Sequence, residues 1–117
     1  MVTFSRLSTR YDSEIDEPAD FDLRYTINDL FNGISPAPDE TPSAWFAIGC
    51  INGDATPFHT LVVERSGTIK FQFWPDANET PEYEHIAQVT ESEAHLLWHQ
   101  LSKRKIDSVL AWFAARQ

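Results

Sequence analysis

Two histidines lie at the spacing that can bind a metal ion. His95 and His99 are four residues apart, and side chains at i and i+4 share one face of a helix. The general-base glutamate of the metalloprotease helix motif is absent, because Leu96 stands in its place. No Cys or Asp run supplies further ligands, although His59 or His85 could. The polar flank of an amphipathic helix explains the same residues, so we expect no metal and no cofactor.

The other catalytic constellations are incomplete. Cys50 is the single cysteine, so an internal disulfide is excluded. It lies in an apolar run over residues 44–51, which is typical of a buried structural thiol. The four glycines are isolated, so no loop that could hold a phosphate is visible. Paired carboxylates could serve as an acid and a base, but loop carboxylates are usually solvated. We therefore expect that the protein is not an enzyme.

Acidic residues are segregated along the chain. Between Tyr11 and Ser102 lie 17 of the 18 acidic residues but only 3 of the 9 basic ones, which gives this stretch a formal charge of −14. A negative field of this size speeds the capture of a cationic partner and repels nucleic acid and anionic membranes. The sequence thus predicts a basic protein as partner, with no direct binding of nucleic acid and no membrane association.

Length and composition indicate one folded domain over residues 1–117. The hydrophobic content of 42% and the aromatic content of 13% argue against disorder despite the net charge. The N-terminal residues lack the apolar stretch of a signal peptide, and no segment approaches membrane-spanning length. We expect a cytoplasmic protein.

The first half of the chain is predicted to contain an acidic loop over 11–20 and a half-buried strand over 21–25. Thr26 and Asp29 resemble a capping box, so a short helix is expected to follow and to stop at Gly33. A proline-rich loop spans 34–43. The apolar run 44–51 is typical of a central strand.

The residues of the next hairpin, which turns near Gly67, predict the register in which its two strands pair. A two-residue turn at 66–67 would scatter the apolar side chains over both faces. A three-residue turn at 65–67, with Gly67 at positive φ, pairs Val63 with Ile69 and puts the apolar residues on one face. This register places Trp74 on the opposite, more polar face.

The C-terminal part is predicted to be helical after a strand over 83–89. Thr90 and Glu93 form a capping box, and an apolar stripe follows at the helical spacing. The stripe restarts out of phase after Lys105, and Asp107 is expected to cap a second helix. The fold class is therefore α+β, with an antiparallel sheet of about four to six strands and the C-terminal helices packed on one face.

Aromatic residues beside acidic loops form the predicted binding surface. Trp45 and Trp74 are expected to supply the buried contacts of an interface, and neighbouring carboxylates to steer a basic partner. The candidate partner-binding residues are Asp16, Glu17, Asp39, Glu40, Trp45, Trp74, Asp76, Glu79, Glu82 and Glu84.

Residues 45–48, 59–63 and 66–71 resemble the sheet region of the cytoplasmic immunity proteins of bacterial polymorphic, contact-dependent and type VI toxin systems. The resemblance extends over residues 44–101 and is one of kind, a small acidic α+β domain, without a diagnostic motif. It implies a stoichiometric inhibitor that covers the active site of a cationic, nucleic-acid-targeting toxin.

Two alternatives remain open from the sequence. A DNA-mimic inhibitor, such as a phage-encoded anti-CRISPR-like protein, would display carboxylates at phosphate spacing and would need no aromatic centre. A metal-dependent enzyme would use His95 and His99.

Overall fold

The computed structural model describes residues 2–34, 42–51, 53, 55–76 and 80–116. The fold is α+β, as predicted, with six strands in one antiparallel sheet of order β2-β1-β3-β4-β5-β6. The elements are β1 (Val2–Ser8), β2 (Glu14–Asp16), α1 (Asp20–Asn32), β3 (Ser43–Ile51), β4 (Phe58–Glu64), β5 (Thr68–Trp74), β6 (Tyr83–Gln88), α2 (Glu91–Ser102) and α3 (Ile106–Ala114).

The predicted hairpin register is confirmed. Val63 pairs with Ile69 and Leu61 with Phe71 across β4 and β5. Gly67 has φ +94 and its N–H donates to the carbonyl of Glu64, as a three-residue turn with a left-handed glycine requires. The register matters for function because it fixes which side chains of β4 and β5 face away from the helices.

The core lies between one face of the sheet and all three helices. Its buried side chains come from every strand except β2 and β6, and from each helix. Trp98 on α2 is fully buried, and its indole Nε1 donates to the carbonyl of Leu61 at 3.1 Å. Phe113 on α3 stacks on Phe71 with ring centroids 6.0 Å apart. The opposite face of the sheet has no described helix over it.

The two C-terminal helices form as predicted, with one correction. The Thr90 hydroxyl accepts from the N–H of Glu93, whose side chain accepts from the N–H of Thr90, so the capping box is confirmed. The break between the helices falls at 103–105, where Arg104 has φ +59. The predicted cap at Asp107 is wrong, because α3 starts after Lys105 and Asp107 lies in its first turn.

The prediction for residues 11–29 is wrong in three places. The segment predicted as a strand over 21–25 belongs to α1, which starts at Asp20 because Asp22 accepts from the N–H of Ala19. Thr26 is a buried residue in the middle of this helix rather than its cap. Part of the predicted acidic loop forms the short strand β2, which pairs with β1. The predicted stop at Gly33 is confirmed.

Candidate functional site

The face of the sheet turned away from the helices, here called the open face, carries the candidate site. Paired residues run across it in rows. The central row is Asp16, Arg6, Ala47, Thr60, Gln72 and Glu84, from β2 to β6. The small side chains at its centre leave a low floor between the bulkier rows on either side.

Large side chains flank this floor on both sides. On one side, Trp45 pairs with Val62. On the other side, Phe58 pairs with Trp74, and their rings stack with centroids 5.6 Å apart and an interplanar angle of 7°. Parallel aromatic stacking of cross-strand neighbours stabilises such a wall.

Gly49 permits the same wall to continue onto β1. It pairs with Phe4, and a Cβ atom at position 49 would lie 2.6 Å from Cζ of Phe4 and 2.7 Å from Cβ of Phe58. Any side chain at this position would displace the aromatic ring. The glycine thus lets the Phe4 ring lie beside Phe58 on the open face.

The walls and the floor enclose a groove with a volume of about 470 Å³, lined by Phe4, Arg6, Trp45, Ala47, Thr56, Phe58, Thr60, Val62, Gln72 and Trp74. This volume lies in the range of roughly 300–1,000 Å³ that is typical of ligand-binding clefts. Pocket walls of this kind are mostly apolar, with a few polar groups that orient what binds.

The two ends of the groove differ in charge. At the β2 end, Arg6 Nε donates to Asp16 Oδ1 at 2.8 Å, so that end holds a neutral ion pair. At the β6 end, Thr60 Oγ1 donates to Gln72 Oε1 at 3.2 Å, and Gln72 Nε2 donates to Glu84 Oε2. This end therefore terminates in a carboxylate.

Trp74 is more enclosed than an outward-facing position suggests. It is half-buried, since Phe58 covers one side of its indole. Its Nε1 is shielded from solvent and has no hydrogen-bond partner among the described residues. A shielded N–H without an acceptor is unfavourable. A carbonyl of a bound chain that accepted from this N–H would remove that cost and so strengthen binding.

The structure brings part of the predicted binding set together. Asp16, Trp45, Trp74 and Glu84 share the open face. Glu82 directly precedes β6, and its N–H donates to the carbonyl of Phe73. Two further predicted residues lie in exposed or half-buried connections, namely Glu17 after β2 and Asp76 after β5. Three others, Asp39, Glu40 and Glu79, lie outside the described residues.

Sequence reasoning missed Phe4, Ala47 and Phe58 as part of this site. The sequence did indicate the floor of the groove. Ala47 lies between Trp45 and Gly49 at the two-residue spacing that places all three on one face of a strand. Pairing with β1 carried no comparable signal, so Phe4 could not be placed.

The paired histidines contact a carboxylate of another helix. His99 Nδ1 lies 3.0 Å and His95 Nε2 lies 3.4 Å from Oδ1 of Asp20 at the start of α1. The hydrogen bond with His99 is the main cause that holds the pKa of Asp20 below its usual value. Within the described ranges, no group of three or more His, Cys, Asp or Glu residues is arranged to hold a metal ion.

A second, smaller cavity of about 330 Å³ lies on the helix side of the sheet and is lined partly by Cys50, His59 and Arg104. Cys50 is only partly buried, so the prediction of a buried thiol is wrong, because Cys50 lies one residue before the end of β3. Burial lowers the pKa of His59, whose ring lies 4.7 Å from that of Phe73 and 5.6 Å from that of Phe71. The imidazole is thus held in aromatic surroundings that favour its neutral form.

Comparison of the chain with protein-family models, with curated proteins and with solved structures finds no match. Among the described residues, no helix has both the length and the apolar character needed to cross a membrane.

Proposed function

We propose that this protein neutralises a basic partner protein by binding it with the open face of the sheet. The partner class that we propose is a nucleic-acid-targeting bacterial toxin, for which this chain would be the cytoplasmic immunity protein. The observation that supports this function is the groove that lies between Trp45 and Trp74 and ends at Asp16 and Glu84.

The composition of the open face suits a protein interface. Interfaces concentrate their binding energy in a few central aromatic and arginine side chains, which a polar rim protects from water. Here the half-buried tryptophans lie at the centre, and exposed carboxylates lie at the two outer strands.

The size of the open face is also suitable. Six strands at spacings of about 4.8 Å, each with a rise of about 3.4 Å per residue, give a face of roughly 24 by 20 Å. With its rim, this area is of the same order as the about 800 Å² that one partner contributes to a standard interface.

The geometry favours this function over DNA mimicry. A DNA mimic needs rows of carboxylates at phosphate spacing and has no use for an aromatic groove. On the open face, one carboxylate, Asp16, is already paired with Arg6, and aromatic and aliphatic side chains occupy the centre. Shape and apolar contact therefore have to contribute to binding, as they do in protein–protein recognition.

The proposal is tested by isolating the partner from the native host on immobilised protein. The double variant Trp45→Ala/Trp74→Ala removes the groove walls. The matched control is Phe21→Ala/Tyr25→Ala, which removes an exposed aromatic pair on α1. We expect one basic protein, retained by the wild type and the control and lost by the groove variant.

The captured protein is then assayed for nucleic-acid cleavage with and without equimolar wild-type chain. We expect cleavage by the free partner and its inhibition at a one-to-one ratio. Retention by the groove variant would contradict the proposed surface, and a partner that is acidic or whose activity is unchanged would contradict the proposed function.

A further inference from the structure

We propose that the groove receives an arginine side chain of the partner, with its guanidinium group at the β6 end beside Gln72 and Glu84. This inference rests on the proposed function and specifies the chemistry of the side chain that enters the groove. It follows from three properties of the site: the polarity of its hydrogen-bond chain, its aromatic walls and its uncompensated charge.

Along the chain of hydrogen bonds across the floor, each donor points toward β6. Thr60 gives its hydroxyl hydrogen to Gln72, and Gln72 gives an amide hydrogen to Glu84. Oxygen lone pairs therefore remain on Thr60 Oγ1, on Gln72 Oε1 and on the carboxylate. Acceptors at the end of an apolar groove call for a ligand with several N–H donors and a positive charge.

The walls provide contacts for the flat faces of such a ligand. Trp74 and Trp45 stand on opposite sides of the floor and are both only half-buried. A guanidinium is planar, weakly hydrated and stacks on aromatic rings, whereas the ammonium of lysine is a compact and strongly hydrated charge. The aliphatic stem of arginine also suits the apolar floor and walls.

The charge around the groove determines the end at which the cation binds. Arg6 lines the β2 end and would repel an incoming guanidinium, although Asp16 compensates its charge. Glu84 at the β6 end has no cationic side chain within ion-pair distance among the described residues. The nearby Lys70 is 3.8 Å from Glu64 instead. At the β2 end, Arg6 lines the groove and stands between it and the carboxylates of β2. At the β6 end, Glu84 lies beside the groove lining and accepts from Gln72 with no cation between them.

The test uses a small probe and does not require the partner. N-acetyl-L-arginine methylamide is titrated into the ¹⁵N-labelled protein and followed by two-dimensional NMR at the indole signals of Trp45 and Trp74 and the side-chain amide of Gln72. N-acetyl-L-citrulline methylamide, which has the same shape without the charge, is the matched probe. We expect saturable shifts with the arginine probe and at least about tenfold weaker binding of the citrulline probe.

Two substitutions and one control substitution locate the binding site. Glu84→Gln should weaken binding of the arginine probe, whereas Glu14→Gln, an exposed carboxylate on the opposite outer strand of the same face, should not. Ala47→Leu should fill the floor and abolish the shifts of both tryptophan indoles. The tryptophan signals of each variant in the absence of probe verify that it is folded.

Three results would overturn the inference: no shift with the arginine probe, equal affinity for both probes, or equal weakening by Glu84→Gln and Glu14→Gln. The last result would mean a diffuse attraction to the acidic surface. If the groove variant still loses the partner while the arginine probe does not bind, the proposed function stands and the arginine inference fails. If the arginine probe binds as expected but no basic partner is inhibited, the proposed function fails.

Discussion

Trp74 and Trp98 lie on opposite sides of the sheet and should respond differently to truncation. Trp74→Ala removes a half-buried ring stacked on Phe58, so we expect a stability loss of about 1 kcal/mol but a loss of about 2 kcal/mol or more in partner binding. Trp98 is fully buried, and Trp98→Ala should cost about 3–5 kcal/mol of folding free energy.

Denaturant melts of the two variants and an affinity measurement on Trp74→Ala separate these effects. A loss of stability for Trp74→Ala as large as that for Trp98→Ala, with unchanged affinity, would contradict a role of Trp74 as a binding anchor.

His59 should make the folded protein less stable in mild acid. Burial lowers its pKa below the usual 6.5, so the unfolded chain takes up a proton at a higher pH than the folded protein. The stabilising effect of the neutral ring is fully present above pH 6.5. It is lost as the pH falls from there toward the lowered pKa.

The free energy of unfolding measured between pH 7.5 and pH 5 tests this effect. His59→Phe keeps a ring between Phe71 and Phe73 and removes the titration, so its stability should change less over this interval than that of the wild type. Parallel curves for the two proteins would contradict the prediction.

At the scale of elements, the sequence predicted those structures whose signals are local. The capping box at Thr90 and the turn at Gly67 were correctly predicted because both depend on residues within four positions of one another. The hairpin register followed from the turn, and with it the side of the sheet on which Trp74 lies.

The elements that were missed depend on contacts distant in sequence. Phe21 and Tyr25 alternate with Leu23 as in a strand, but they lie on the exposed side of α1, whose buried side packs on the sheet. Strand β1 is defined by its pairing with β3, some 40 residues away, which no local pattern reveals. The groove could therefore be predicted only in part, from Trp45 and Trp74.

The contact between α1 and α2 gives a prediction for Asp20. In the variant His95→Ala/His99→Ala, the pKa of Asp20 should rise toward its usual 3.8, because the hydrogen bond with His99 is removed. Exposed charge pairs contribute about 1 kcal/mol or less, so the variant should fold and keep its partner binding.

Carboxyl NMR titration measures this change directly. Glu93 on the same helix is an internal control, since its lowered pKa depends mainly on the N–H of Thr90 and on Arg116. An unchanged pKa of Asp20, or a stoichiometric metal lost from the variant by elemental analysis, would contradict this interpretation of the histidines.

At the scale of the whole molecule, ion pairs determine which of the many carboxylates remain available to attract a basic partner. The pairs with arginine or lysine among the described residues are Arg6–Asp16, Arg10–Asp29, Arg24–Asp20, Lys70–Glu64 and Arg116–Glu93. Three carboxylates near Trp74 have no such partner in the described part of the chain: Asp76, Glu82 and Glu84. The sequence gives the total charge, but only the fold shows that its uncompensated part includes this end of the groove.

The association rate with the basic partner should therefore depend strongly on salt. Electrostatic steering raises association rates by about 10–1000-fold at low ionic strength, and salt at about 0.15 M screens exposed charges beyond about 8 Å. Stopped-flow measurements should show a steep fall in the association rate as salt increases, with a smaller change in the dissociation rate.

The variant Glu82→Gln/Glu84→Gln should reduce the slope more than Asp12→Asn/Asp107→Asn, which removes two exposed charges outside the open face. A flat salt response of the wild type would exclude steering as the role of the negative charge, and equal slopes for the two variants would mean that the net charge matters and its position beside the groove does not.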